Sequence, residues 1–479
     1  MRARRPEGDH VSGRLTATVD ASALSTFREA FAGQIVLRDD PSYDAARIVW
    51  NGMIDRRPAI VVRPTGVADV LSALPFAREQ ELVIAVRSGG HSIPGFSTCD
   101  GGIVIDLSSM RGVRVDPERR VARVNGGALL GDLDHEAQAF GLACPVGVVS
   151  HTGVAGLTLG GGMGRLQRKY GLTLDNLLSV DVVTADGRLV HASEDENPDL
   201  FWGMRGAGPN FGIVTSFEFR LHPVGPTITH GTVVYPVEQT AEVAEFYRDF
   251  VETTPDELWS AFGVGLALPE KEYPPEVAGR PIVFMGGLHC GSLEQAERDF
   301  ALMRAFGTPI ADSIEQKPYL TAQHLNDEAM RWGHRFSMKS GFTASLPQEM
   351  VDGCLSKLDE VPKGGDCSFS FWSCGRAIAR VDVDATAFPV RDAAFWASAE
   401  AMWDDPGLDQ ENREWVRSGM TAITPFAVAG QYVNDIAETG DDVVRSVYGD
   451  AKYQRLVQLK RTWDPDNLFR LNQNIRPQE

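Results

Sequence analysis

Three glycine-rich loops, each beside a short apolar segment, constrain this chain more than any other feature. They are Arg87-Ser88-Gly89-Gly90-His91-Ser92, the run from Val149 to Gly164, and Arg205-Gly206-Ala207-Gly208-Pro209-Asn210-Phe211-Gly212. Of the 48 glycines, 17 fall within residues 87–164. Glycine lets a backbone approach a ligand closely, and successive N–H groups turned toward one point form a nest that binds phosphate. Three such loops in one span point to a long ligand held by backbone. No fixed period exists, so a collagen-like reading fails.

The usual nucleotide and hydrolase signatures are missing. Gly160 and Gly162 have Arg165 where G-x-G-x-x-G needs its third glycine, and Gly206 and Gly208 have Phe211 there. That disfavours a Rossmann dehydrogenase. No Gly-Lys dipeptide is present, so there is no Walker A loop, and neither G-x-S-x-G nor H-E-x-x-H occurs. The balance of 46 basic against 65 acidic residues gives −19, a field that repels nucleic acid. The six cysteines form no C-x-x-C pair and read as reduced thiols, with no metal site. No run of 18 apolar residues suggests a membrane span, and Glu7 and Asp9 break any signal peptide. The expected location is the cytoplasm.

Periodicity predicts a strand at 59–62, a helix from Val67 kinked at Pro75, and a strand at 82–86 leading into the first glycine loop. Strands follow at 102–107 and 121–124, then a helix over 129–140. Asp186-Gly187 marks a hairpin between 177–184 and 188–192, and 213–221 reads as a strand. Pro223 to Thr227 marks a boundary. Beyond it, strands are expected at 228–235, 257–267, 281–290, 332–346, 367–381 and 423–436. Helices are expected at 238–253, 292–305, 347–359, 391–404 and 441–460. This middle region reads as an antiparallel sheet with helices on one face.

The glycine loops, Lys169-Tyr170-Gly171-Leu172 with Asp175-Asn176, Phe201-Trp202, Tyr432-Val433-Asn434 and Asn472-Gln473-Asn474-Ile475 together resemble the berberine bridge enzyme-like FAD-linked oxidoreductases. That family lies in the vanillyl-alcohol oxidase/p-cresol methylhydroxylase superfamily, and bacterial 6-hydroxynicotine oxidase-like members look similar over 86–222. The resemblance implies an α+β fold: a bipartite PCMH-type FAD-binding domain from 1–225 and 426–479, and a central substrate domain over 226–425. It implies FAD as cofactor, with Arg87, Ser88, Gly89, Gly90, His91, Ser92 and Gly95 around the pyrophosphate. Thr152, Gly153, Gly156, Gly160, Gly161, Asn176, Gly212, Ile213 and Val214 are expected on the ADP and flavin edge, and Asn472 and Asn474 on the ring or ribityl side. His91 is expected to attach covalently to the flavin 8α-methyl. Many members carry a second link from a Cys eleven residues before the triple glycine. Here Val149 holds that place and Cys144 lies five residues too early, so a single link is expected. Thr152 stands where oxidases of the family carry a small apolar residue.

On the substrate side, His334, Phe336 and Met338 alternate on one strand face, with Lys339 on the other. Phe369, Phe371 and Ser373 alternate likewise, with Trp372 opposite. His334, Phe336, Met338, Phe371 and Trp372 are the expected substrate lining. The resemblance implies a catalytic tyrosine near the flavin at Tyr432, the expected base; an unaided tyrosine titrates near ~10, so Lys339 is the expected helper. The expected reaction removes hydride from an alcohol or amine carbon of a small aromatic or secondary-metabolite substrate. Dioxygen is the acceptor and H2O2 the product. The alternatives are a dehydrogenase with another acceptor and an oligosaccharide oxidase. Neither nucleic acid nor membrane is an expected partner, and the chain is expected as monomer or homodimer.

Overall fold

The computed structural model describes residues 19–267 and 277–477. The loose tail expected over 1–20 falls outside them up to residue 18. Two small sheets carry the first and third glycine loops, while the second loop contains the short helix Val154–Gly160. The first sheet has the order Gln34–Leu37, Ile60–Arg63, Ile103–Asp106, Ile84–Arg87. Its last three strands run parallel, and helix Val67–Glu79 crosses between two of them. Val70, Ala73, Leu74 and Ala77 share one helical face and are buried against Ile60, Ile84 and Ile103. The helix runs on through Pro75. The strand Ile84–Arg87 then delivers the chain into the first loop.

The second sheet is antiparallel, in the order Val113–Asp116, Val121–Asn125, Ile213–Arg220, Leu177–Val183, Leu189–Ser193. Its hairpin turns at Asp186-Gly187, where Gly187 has φ +78°, a conformation glycine adopts without steric cost. The third glycine loop feeds the central strand Ile213–Arg220.

An eight-stranded sheet spans the middle of the chain. Its main order is Ala311–Asp312, Thr227–Pro236, Pro281–His289, Leu258–Leu266, Asp366–Ser373, Phe395–Trp403, Arg335–Thr343. Period-2 alternation divides it into two faces. Val233, Phe262, Met285, Phe369, Phe371 and Ala399 pack under the helices, with Tyr247, Phe300, Met350 and Trp415. The opposite face looks toward the glycine loops.

Three expectations need correction here. Residues 391–404 hold a strand, Phe395–Trp403, rather than a helix. Its alanines suggest helix, but Phe395, Ala397, Ala399, Ala401 and Trp403 alternate onto the helix-covered core. Small residues are needed because helix Asp409–Ile423 lies close: a Cβ on Gly419 would stand 3.2 Å from Ala399. Residues 423–436 hold short 3-10 turns, not a strand. The strand expected over 367–381 ends at Ser373, where the short helix Ala377–Arg380 follows.

The chain returns to the glycine loops through helix Asp441–Trp463. Lys460, fully buried, donates to the backbone oxygens of Asn210 and Phe469 and to Asp464 at 2.6 Å. Asp464 in turn accepts from the N–H groups of Leu468 and Phe469. This buried pair anchors the 469–475 segment against the third loop. No helix of the described residues is long and apolar enough to cross a membrane.

Candidate active site

A cavity of about 1060 Å³ lies between the glycine loops and the open face of the large sheet. The loops form its floor through Ser88, Gly89, Gly90, His91 and Ser92, through Thr152, Gly153 and Gly156, and through Gly212, Ile213 and Val214. Asn472 and Gln473 close one side.

The first two loops touch backbone to backbone. A Cβ on Gly89 would stand 2.2 Å from the amide nitrogen of Gly153, and one on Gly153 would stand 2.3 Å from that of Gly89. Neither position admits a side chain. Arg87 does not face the ligand space. Its guanidinium is buried, donating to the carbonyls of Ala46 and Ile48 and pairing with Asp106 at 2.7 Å. It fixes the strand end that aims the loop. Gly95 is likewise outside the lining; it turns the chain at φ +79° beside Ile54. Asn51 ties this loop to the roof, donating to the carbonyls of Ile93 and Phe336.

His91 lines the cavity and stacks on Trp50, with ring centroids 4.7 Å apart. Its Nε2 lies 2.7 Å from Nδ1 of His151. Burial, and secondly His151, push its pKa down to about 3.

The triple glycine does something other than expected. Gly160 and Gly161 are not part of the lining. A Cβ on Gly160 would strike the Asn434 amide at 2.1 Å, and one on Gly161 would strike the Tyr432 ring at 2.7 Å. These glycines make room for the C-terminal segment. Asn176 is also structural: it donates to the carbonyls of Tyr170 and Leu172 and meets His222 Nε2 at 2.6 Å. Asn472 lines the cavity and donates to the carbonyls of Pro209 and Phe469, whereas Asn474 does not line it.

The roof presents Trp259, Trp372, Trp396, Phe336, Met338 and Met402. Trp372 meets Trp259 edge-on at 5.2 Å and Trp396 at 5.0 Å. Phe371 belongs to the helix-covered core, one residue out of phase with Trp372. His334 is outside the lining, near Asp404 at 3.4 Å. Lys339 pairs with Glu438 on the helix side of its strand, so it does not assist Tyr432. The Tyr432 hydroxyl accepts from Gly162 N–H at 3.0 Å and from Asn434 at 2.9 Å. Burial, and then the charge of Asp435, raise its pKa above the ordinary tyrosine value. It is a neutral phenol.

Four carboxylates that the sequence reading missed line the cavity: Asp366, Glu400, Asp435 and, paired with Arg304, Asp312. Asp435 accepts from Ser340 Oγ at 2.6 Å and Trp396 Nε1 at 2.9 Å. Burial, with Glu400 nearby, raises its pKa to about 7. Burial also raises Glu400. Asp435 stands one residue beyond the Tyr432-Val433-Asn434 motif, and Glu400 falls within the stretch read as helix.

The floor fits a dinucleotide. A Cβ on Gly156 would enter open space, with nothing within 4 Å, so the missing side chain leaves room for a ligand. Ser88 Oγ, Ser97 Oγ and Asn472 Oδ1 are buried at the cavity wall without protein partners, and such atoms require a hydrogen-bonding ligand or water. The cavity matches the upper end of the ~300–1,000 Å³ range of ligand pockets. Loop-borne backbone on one side and an apolar roof on the other define a cofactor-dependent enzyme with a large, flat-sided binding space.

Comparison with known proteins gives that class its family. Residues 58–193 match the FAD binding domain family, and residues 431–476 match the berberine and berberine-like family. The (R)-6-hydroxynicotine oxidase of Paenarthrobacter nicotinovorans is 34% identical over 461 residues, covering 93% of this chain and 97% of that protein. The crystal structure of 6-hydroxy-D-nicotine oxidase from Arthrobacter nicotinovorans superposes with a TM-score of 0.85 at 32% identity, covering 94% of this chain and 98% of that one. Xylooligosaccharide oxidase from Myceliophthora thermophila superposes at 0.81 with 25% identity, covering 96% of this chain and 100% of that one. The chain belongs to the berberine bridge enzyme-like FAD-linked oxidoreductases.

Proposed function

We propose that this enzyme is an oxidase acting on an alcohol or amine carbon of a small aromatic or secondary-metabolite substrate, with dioxygen as acceptor and H2O2 as the second product. The observation that carries this reading is the contiguous row of Trp259, Trp372 and Trp396 facing the glycine loops. Such a surface takes up a flat apolar body and excludes water from the reacting carbon. FAD, when bound, supplies the two-electron acceptor for that carbon.

The chain's own residues do the rest. Ser88 to Ser92, Thr152, Gly153, Gly156, Gly212 to Val214 and Asn472 hold the cofactor. The row of tryptophans orients the substrate. Asp435 takes the hydroxyl or amine proton: its carboxylate faces the cavity, and a pKa near the working pH suits a general base. Tyr432, held by Gly162 and Asn434, seats the C-terminal segment rather than acting as base.

His91 makes a single covalent link to the flavin. Support comes from its place in the lining and its stacking on Trp50. Val149 lines the cavity without a thiol, and Cys144 is fully buried in the core, where its thiol is pushed well above the ordinary range. Acid-precipitated protein is expected to stay yellow, with the flavin mass on the His91 peptide.

A second reading has its own support. Asp366, Ser368, Ser370 and Glu400 form a polar row across two adjacent strands, and such a row would hydrogen-bond sugar hydroxyls, giving an oligosaccharide oxidase. Anaerobic bleaching of the flavin by aromatic alcohols, cyclic amines and oligosaccharides separates the two. Bleaching by oligosaccharides alone overturns the first. Oxygen uptake with peroxide release tests the acceptor. Reduced flavin persisting for hours in air would make the enzyme a dehydrogenase with another acceptor, a relevant outcome because Thr152 places a hydroxyl at the cavity.

A further inference from the structure

We infer that Arg165, His230, Lys317 and the indole N–H of Trp259 form an anion subsite in the cavity. It receives the carboxylate of an aromatic substrate at the end of the tryptophan row remote from Asp435. This rests on the aromatic-substrate reading above and narrows it to acids.

Strand register brings these groups together. His230 and Trp259 stand opposite Leu288 from either side, so their side chains share one face of the large sheet. Lys317 pairs with Ile228, two positions before His230, and shares that face as well. Arg165 follows directly on the second glycine loop and meets them from below. All four residues line the cavity. Arg165 and Lys317 stand near enough to His230 that their charges, after burial, push its pKa down.

The set is rich in unspent donors. Trp259 Nε1 and His230 Nδ1 are buried without a partner, and an indole nitrogen can only donate. Arg165 is 5% exposed, and its one hydrogen bond among the described residues runs to the Ala322 carbonyl at 3.1 Å. Burial lowers its pKa to about 10, which leaves it a cation at neutral pH. Tyr319, Asp134 and Asp327 act on it through charge alone, without a hydrogen bond. Burial holds Tyr319 neutral and raises Asp134 to about 7, so little counter-charge faces the guanidinium. Lys317 pairs with Glu315 at 3.1 Å, but that carboxylate is 68% exposed, and such pairs are weak. A buried cation without an ion partner is costly. A planar guanidinium takes up a carboxylate through two parallel hydrogen bonds.

The carboxylates of the cavity stand apart from this end. Asp366 and Glu400 lie three and four strands across the sheet from His230. Asp312, on the near edge, is neutralised by Arg304 at 2.8 Å. A cavity charged in this way draws an anion to one end. From Trp259 the ring steps are 5.2 Å to Trp372 and 5.0 Å on to Trp396, whose indole N–H holds Asp435. A flat molecule anchored by its acid at Arg165 and lying on this row brings its far end to the base. The subsite therefore selects acids two rings long, with the reacting alcohol or amine carbon opposite the carboxylate.

The test compares naphthoate with naphthamide, alike in shape and different in charge, through the change each makes in the flavin spectrum of the holoenzyme. Wild type is expected to bind naphthoate at least about tenfold more tightly, the lower end for hydrogen bonds to a charged group. Arg165→Met is expected to weaken naphthoate at least about 30-fold, the lower end for truncating one side of a buried charge pair, and to leave naphthamide nearly unchanged. Arg165→Lys is expected to recover part of the loss. His230→Leu is expected to weaken naphthoate selectively too, and it carries the test should Arg165→Met fail to fold. Equal affinities in wild type, or parallel losses of acid and amide in the folded variants, overturn the inference. So does loss of FAD from Arg165→Met with discrimination unchanged, which would assign the guanidinium to the cofactor's phosphates. The aromatic reading is judged separately. Bleaching by oligosaccharides alone overturns it, while a preference for naphthoate lost in Arg165→Met still establishes the anion subsite.

Discussion

The phenolic oxygen of Tyr432 accepts a hydrogen bond from the backbone N–H of Gly162 across 270 residues of chain. A second bond comes from Asn434, so the hydroxyl works as an acceptor that joins the C-terminal segment to the triple glycine. Replacing it leaves a buried backbone N–H without a partner, which costs about 1–3 kcal/mol. Tyr432→Phe is therefore expected to lower the melting temperature and loosen FAD retention, read by thermal denaturation and flavin release. The rate of flavin reduction at saturating substrate is expected to fall far less than in the Asp435 variant below.

Asp435→Asn is expected to slow flavin reduction at least ~100-fold. The wild-type reduction rate should fall as the solution is acidified through about 7, where the carboxylate takes up a proton and ceases to act as base. Stopped-flow reduction across pH checks both, and an acid limb that survives in Asp435→Asn would remove Asp435 from the mechanism. Stability runs the other way. The folded pKa lies above the ordinary 3.8, so the folded protein binds more protons between the two values, and stability falls as pH rises from 4 to 7. Asp435→Asn should flatten that slope in denaturant titrations.

Phe371 and Trp372 are neighbours with opposite fates. Phe371→Ala, in the helix-covered core, is expected to destabilise the fold by about 3–5 kcal/mol. Trp372→Ala, facing the cavity between two tryptophans, is expected to raise the substrate concentration needed for half-maximal bleaching by tenfold or more while shifting stability less. Equal effects on both measurements would argue against a substrate-facing roof.

Lys460 and Asp464 are both fully buried. Lys460→Met strands the Asp464 carboxylate, and breaking a buried pair from one side costs about 3–5 kcal/mol. Because the pair anchors the segment bearing Asn472, the variant is expected to lose FAD affinity as well as stability, measured by fluorescence titration of apo-protein.

Local chemistry made much of this molecule legible. The Asp186-Gly187 hairpin, the strand into Arg87 and the loops that line the cavity are dictated by turn residues and short apolar runs. Longer-range roles were hidden. Gly160 and Gly161 read as cofactor glycines, yet their small size serves side chains some 270 positions away. Arg87 sits in a ligand loop but turns its charge back onto Asp106. The strand Phe395–Trp403 alternates correctly, but in alanine, whose preference for helix masks the period. The pairing of Tyr432 with Lys339 failed on strand parity, since Lys339 projects to the opposite face from Met338.

The mutual contact of Gly89 and Gly153 has a dynamic consequence. Two loops that meet through bare backbone have no side chain to swing aside, so neither can open without displacing the other. They should behave as one cooperative unit, with amide protons near both glycines exchanging at a common rate. Cofactor loading then selects the closed state of a single element, rather than gathering two independent fingers.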